Sequence, residues 1–181
     1  SEMCIRDRNI LHAIHKGISC GFLDAVFPKL TLLCYLFIGA AVVFLFFRKF
    51  RQGGAAMCGA ILLSLLVGNL LLKNLVARDR PCWIDPDFLQ LLVSVPKDFS
   101  FPSAHTMISV SAAAALFHYS KALGIPALVI AALVGFSRLY LFVHFPTDVL
   151  VGAVIGVLLA VVSCIVTDKI AARIKSKKAV N

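Results

Sequence analysis

The sequence predicts an all-α fold: an integral membrane bundle of five to six helices whose N-terminal helix is amphipathic or a short span. Three observations carry this prediction. The chain is 60% hydrophobic, with a mean hydropathy of +0.93, against about 45–50% apolar residues in soluble domains. The apolar residues gather into runs near the ~20 residues that a bilayer-crossing helix needs. The charges, only 15% of the residues, collect at the ends of those runs, where they mark membrane topology.

Taken in order, the opening "SEMCIRDR" (1–8) fits poorly with the apolar chain after it, reads as non-native or disordered, and is set aside. Residues 9–27 carry His12, His15, Lys16 and Asp24 among Ile10, Leu11, Ile14 and Ile18 at helical spacing. That pattern suits an amphipathic helix in the interface, with a short span as the alternative. Apolar runs occupy 30–47, 55–72, 125–143 and 149–167, with a shorter, Ala-rich one at 104–119. The long connection 73–103 is broken by Pro81, Pro86, Pro96 and Pro102 and is expected to hold a short interfacial helix near 86–94. Residues 9–168 read as one membrane domain and 169–181 as a basic cytoplasmic tail.

The net charge is +9, but its placement argues against nucleic acid. It sits in "RKFR" (48–51), "KNLVARDR" (73–80) and the tail, with no aromatic–basic surface on which bases could stack. "RKFR" and the tail read as cytoplasmic, which puts 73–103 and 144–148 on the other side. The six cysteines show neither CxxC nor metal-ligand spacing, so the thiols read as small buried hydrophobes.

Three polar clusters fall at that second face. In "KNLVARDRP", Lys73 ends one span and Arg80 comes just before Pro81. In "FPSAH", Pro102 and Ser103 suit a helix entry, Ser103 as N-cap. The N–H groups of Ala104, His105 and Thr106 then lack intrahelical partners and can hold an anion. In "SRLYLFVHFPTD", Arg138 lies near the end of an apolar helix, His144 comes six residues later, and Pro146 starts a helix with Asp148 in its first turn. His144 and Asp148 are spaced to hydrogen-bond, which would fix the imidazole tautomer and leave its other nitrogen free to attack. Singly, each cluster has an ordinary explanation as a snorkelling Lys, a helix cap or an interfacial His. Jointly, they supply cations, a helix N-terminus, two histidines and a carboxylate, a set suited to a phosphate.

Lys-x6-Arg-Pro (73–81), Pro-Ser-x-His (102–105) and Ser-Arg-x5-His-x3-Asp (137–148) resemble the three signature motifs of the type 2 phosphatidic acid phosphatase superfamily, which also contains vanadium haloperoxidases and glucose-6-phosphatase. The resemblance covers roughly 25–167 and points to a small bacterial membrane lipid phosphatase, undecaprenyl-diphosphatase-like. It implies His144 as nucleophile, Asp148 as its orienting partner and His105 as the acid for the leaving group. It implies Lys73, Arg80, Ser103, the Ala104 amide and Arg138 as phosphate ligands, and neither metal nor cofactor. Ala104 stands where the family motif usually has Gly; it keeps the N–H, provided the backbone there is helical. The expected activity is hydrolysis of a lipid phosphate or diphosphate (undecaprenyl diphosphate, phosphatidic acid or phosphatidylglycerol phosphate) through a phosphohistidine. The expected location is the cytoplasmic membrane, with the site facing outward. The alternatives are transfer to an acceptor other than water and a non-catalytic lipid-binding relative. Expected partners are the lipid substrate and membrane lipids, without nucleic acid.

Overall fold

The computed structural model describes residues 2–88 and 91–180, with side chains over 5–88 and 91–177. The described chain is all-helical. Helix α1 is Glu2–Ile18, α2 Gly21–Phe46, α4 the single turn Pro81–Ile84, α5 Ala104–Tyr119, α6 Lys121–Tyr140 and α7 Pro146–Val180. Helix α3 runs continuously over 51–76, with a π-helical stretch, Leu65–Leu72, between α-helical Arg51–Ser64 and Lys73–Val76.

Segments Gly21–Phe46, Arg51–Ile84, Lys121–Tyr140 and Pro146–Lys177 are each long and apolar enough to cross a membrane, so the chain is a multi-pass membrane protein. Their outward side chains include Leu36, Phe46, Leu70, Val129, Leu150 and Leu158, all exposed. A soluble protein would bury such a belt. The bundle is knit instead by small residues. Ala56, Ala60, Ala112, Ala113, Ala115, Ala131 and Ala160 are buried with Met57 where α3, α5, α6 and α7 meet, and small side chains let backbones approach closely. Gly152 and Gly156 form a G-x-x-x-G stripe on α7. A Cβ at Gly156 would lie 2.8 Å from the Met107 carbonyl oxygen, and one at Gly152 3.0 Å from that of Ser103. This stripe seats the N-terminus of α5 directly against α7.

Two expectations about elements need correcting. Residues 9–27 do not form one helix: the chain breaks at Ser19–Cys20, with Cys20 extended, and α2 starts at Gly21. Glycines at 17 and 21 make this the weakest helical point of the segment. Asp24, expected on an interface helix, is absorbed into α2, where it accepts a 2.6 Å hydrogen bond from the Tyr140 hydroxyl. The helix expected near 86–94 is not formed among its described residues, 89 and 90 lying outside them; the helical turn falls earlier, at Pro81–Ile84. Proline is favoured at that first helical position. Trp83, from this turn, donates to the Pro96 carbonyl (3.1 Å) and pins the connection back on itself.

The antiparallel helices sort the polar residues. "RKFR" joins α2 to α3 at one end of the bundle, where Tyr119 also packs beside Gly53 and donates to Asp168 (2.7 Å). The end of α3, the start of α5, the end of α6 and the start of α7 meet at the other end, and the three clusters lie there.

Candidate active site

Three backbone devices assemble the site. The first ends α3. Ala77 takes a left-handed conformation (φ 46°) and its N–H closes on the Lys73 carbonyl (3.0 Å), a common way to stop a helix. The chain then doubles back, and Ser100 N–H bonds the Arg78 carbonyl (2.8 Å). The second is the α6–α7 corner. Tyr140, Leu141, Phe142, Val143 and Phe145 are all almost fully buried, and Phe142 sits at φ 57°. That conformation is unfavourable for a bulky residue, and its packing offsets the cost: the Phe142 ring stacks on Phe88 (4.9 Å between centroids). The corner turns His144 inward. The third is the start of α7, where the Asp148 carboxylate reaches back to the Phe145 N–H (2.8 Å). This is the acidic half of a capping box.

His144 is 1% exposed and Asp148 fully buried. The direct hydrogen bond expected between them is replaced by a looser contact, His144 Nδ1 to Asp148 Oδ2 at 3.7 Å. Ser100 lies between, its hydroxyl donating to Asp148 Oδ2 and 3.4 Å from His144 Nδ1. A hydroxyl has one proton to give. With that proton on Asp148, Nδ1 faces two acceptors and carries the hydrogen itself. The other nitrogen, Nε2, is then bare and accepts from Arg80 Nη1 (3.2 Å). Burial, helped by the charges of Arg80 and Arg138 and opposed by Asp148, pulls the His144 pKa down to about 4, so the ring is neutral near pH 7. Asp148 is fixed on its far side by Arg78, whose Nη1 donates to Oδ1 (2.7 Å) and to Thr147 Oγ1 (2.6 Å). The Arg78 Nη2 reaches Asp7 (2.8 Å).

His144 borders a cavity of about 310 Å³ whose walls include Lys73, Arg80, Asp98, His105 and Arg138, with Ala104 at the start of α5. The size is at the low end for a ligand site. Tyr35, Ile38, Leu65 and Ile108 supply its apolar wall. Arg80 is buried and clamped: Nε donates to the Asp98 carbonyl (2.6 Å), Nη1 to that of Val143 (2.7 Å) and Nη2 to that of Phe99 (3.3 Å) and to Asp98 Oδ1 (2.8 Å). Lys73 is buried and its ammonium bonds Asp98 Oδ2. Arg138 donates from Nη1 to Thr31 on α2 (2.9 Å), and its Nε is buried with no hydrogen-bond partner among the described residues. Burial resists ionisation of Asp98, but the bond and charge of Lys73 and the Arg80 guanidinium outweigh it and hold the carboxyl at about 2.

Of the residues singled out in the sequence, Lys73, Arg80, Ala104, His105, Arg138 and His144 face one cavity, and Asp148 backs His144. Ser103 does not line it. Ser103 occupies the N-cap position, but its expected side-chain cap bond is absent. Its hydroxyl accepts from Thr106 (3.0 Å) and its N–H bonds the Asp148 carbonyl (3.2 Å). The first N–H groups of α5 are therefore not capped by Ser103. Ala104 opens an ordinary right-handed helix and is not at positive φ, so the backbone there does not require Gly. Sequence reasoning missed Arg78, Asp98 and Ser100. Arg78 had a signal, as a second cation two residues before Arg80; Asp98 and Ser100 had none beyond lying near the Pro-Ser-Ala-His tetrad.

The arrangement can hold a tetrahedral anion on cations and helix N–H groups beside a neutral imidazole with a bare Nε2. The chain is also similar to known proteins in sequence and fold. The pattern of the PAP2 superfamily matches residues 53–171. An undecaprenyl-diphosphatase of Sulfolobus acidocaldarius is 32% identical over 124 residues, covering 67% of this chain and 59% of that protein. The chain thus spans less than two thirds of the length of that curated relative. The crystal structure of a PAP2-type phosphatidylglycerolphosphate phosphatase from Bacillus subtilis superposes with a TM-score of 0.75 at 32% identity, over 94% of this chain and 88% of that one. That of Aquifex aeolicus LpxE gives 0.75 at 28% identity, over 86% and 92%.

Proposed function

Because the chain belongs to the PAP2 superfamily, we propose that it is a membrane phosphatase that hydrolyses a lipid phosphate or diphosphate through a phosphohistidine on His144. The observation that carries this reading is the bare Nε2 of a buried, neutral His144 at the wall of a cation-lined cavity.

In the first step Lys73, Arg80, Arg138 and the N–H groups opening α5 bind the phosphoryl oxygens. His144 Nε2 attacks phosphorus in line with the leaving oxygen. Burial and the surrounding cations hold the His105 pKa down at about 3 in the anion-free protein, so the ring takes up its proton only as the phosphate anion enters. The N–P bond then forms as the P–O bond breaks, and His105 gives that proton to the departing oxygen. Asp148, held by Arg78, Ser100 and the Phe145 N–H, offsets the positive charge that develops on the imidazole. In the second step water attacks the phosphohistidine, its proton goes to His105, the N–P bond breaks and inorganic phosphate leaves. No step draws on a metal or cofactor.

The lipid class is inferred from position. The cavity lies at the end of the spans, walled partly by Tyr35 and Ile38 of α2 and Leu65 of α3, which suits a phosphate at headgroup depth on a tail in the bilayer. The basic "RKFR" turn and tail lie at the opposite end and favour the cytoplasmic side. The site then faces outward from the cytoplasmic membrane, where an isoprenoid diphosphate carrier would be recycled.

The test is inorganic phosphate release from undecaprenyl diphosphate, phosphatidic acid and phosphatidylglycerol phosphate in detergent, by the wild type and by His144→Ala. Release that the variant lacks is expected. Equal release by the variant would remove His144 from the chemistry. Product that forms only with an added alcohol would indicate transfer rather than hydrolysis.

A further inference from the structure

Lys73 and Arg80, the proposed phosphate ligands, are already bound to an anion. Arg80 has five N–H donors. Three are committed to the backbone carbonyls of Asp98, Val143 and Phe99; the other two point at His144 Nε2 and Asp98 Oδ1. A phosphoryl group in contact with Nε2 needs those last two donors. The second oxygen of the same carboxylate holds the Lys73 ammonium. Asp98 thus uses its two oxygens as a phosphate would use two of its own.

The pair is lopsided. The side chains of Lys73 and Arg80 are 7% and 3% exposed, and that of Asp98 is 56% exposed. The cations are fixed, whereas the carboxylate sits at the mouth and can turn outward by a side-chain rotation. Its backbone would stay, because the Arg80 Nε bond goes to the Asp98 carbonyl and not to the carboxylate.

We propose that Asp98 is a displaceable internal counter-ion: it neutralises Lys73 and Arg80 when the site holds no substrate and must swing aside for the phosphate to bind. This rests on the reading of these cations as the phosphate site. Two consequences oppose each other. Removing the carboxylate leaves two buried cations without a counter-charge, which destabilises the anion-free protein. It also removes both a competitor and a like charge from the path of the phosphate, which tightens anion binding.

The experiment measures binding of inorganic phosphate to purified wild type and Asp98→Asn in detergent, from the dependence of thermal unfolding on phosphate concentration, beside lipid turnover. Asp98→Asn is expected to melt lower without phosphate, to bind phosphate about tenfold more tightly, and to recover its deficit as phosphate saturates. KM for the lipid should fall in parallel. A residue that merely supports the fold would lower the melting temperature equally with and without phosphate. Phosphate affinity unchanged or weakened in Asp98→Asn overturns the proposal. If Asp98→Asn does not purify, Asp98→Ser removes the same charge and must show the same tightening. Asp98→Glu keeps the charge, so tightening in that variant would also count against it. Tighter phosphate binding without turnover by either protein would leave the counter-ion role standing and refute the phosphatase reading; turnover with unchanged affinity would do the reverse.

Discussion

Replacing Asp148 by Asn separates the charge of this residue from its shape. The carboxylate accepts from Arg78 on Oδ1 and from Ser100 and the Phe145 N–H on Oδ2, with His144 Nδ1 at 3.7 Å. An amide has one acceptor oxygen. If its NH2 takes the Oδ2 position, it opposes the Phe145 N–H and the Nδ1 hydrogen, donor against donor. Facing Arg78 it opposes one donor instead of two, so the NH2 takes that side and the variant loses its charge-assisted hydrogen bond to Arg78. That loss costs about 1.5–3 kcal/mol of stability, and not more, because Arg78 keeps its bonds to Thr147 and Asp7. The kinetic effect should be larger. The Asn oxygen can still hold the His144 tautomer but cannot offset the charge created when Nε2 bonds phosphorus. A fall in kcat of about 10²- to 10⁴-fold, or about 3–5 kcal/mol, is expected, with KM within about threefold because Asp148 does not touch the cavity. The assay is phosphate release across lipid concentrations, with thermal unfolding to confirm folded protein. A kcat within fivefold of wild type, or an effect confined to KM, would refute the assignment of Asp148 as electrostatic partner of the nucleophile.

Ala104→Gly, which restores the usual family residue, should leave kcat/KM within about threefold and lower stability by up to about 1 kcal/mol, because position 104 is already helical; a severe loss of phosphate release would show that the Ala methyl group matters to the site. Gly156→Val should push α7 away from the Met107 carbonyl, which a Cβ would approach to 2.8 Å, and lower thermal stability by about 1–3 kcal/mol; an unchanged melting temperature would deny the close α5–α7 contact. His144 has its pKa lowered to about 4 by burial, against about 6.5 in an unfolded chain. Between those values the unfolded chain binds the extra proton, so stability falls as pH drops below 6.5, by about 2 kcal/mol at pH 5. His144→Gln should lack this component, and parallel unfolding profiles of the two proteins from pH 7.5 to 5 would mean that His144 is solvated.

What the sequence determined by itself is the part that rests on local signals. Membrane class and the main helices come from runs of apolar residues, because hydrophobic length matters whatever the neighbours are. The convergence of Lys73, Arg80, His105, Arg138 and His144 at one end was legible because each lies at or close to the end of an apolar run, and antiparallel spans return such positions to the same face. Only the tertiary structure decided how these groups are held. Asp98 meets Lys73 and Arg80 across 25 and 18 residues, and a carboxylate in a loop reads the same in sequence whether it is solvated or pairs two buried cations. Ser100 intervenes between His144 and Asp148, and the Ser103 hydroxyl accepts from the Thr106 hydroxyl instead of from the backbone N–H groups it was expected to cap, because each hydroxyl chooses among partners that sequence spacing does not rank. The break at Ser19–Cys20 and the π-helical turn before Lys73 are of the same kind. They are small departures in backbone register, and the π-helical one lies directly before a cation at the site.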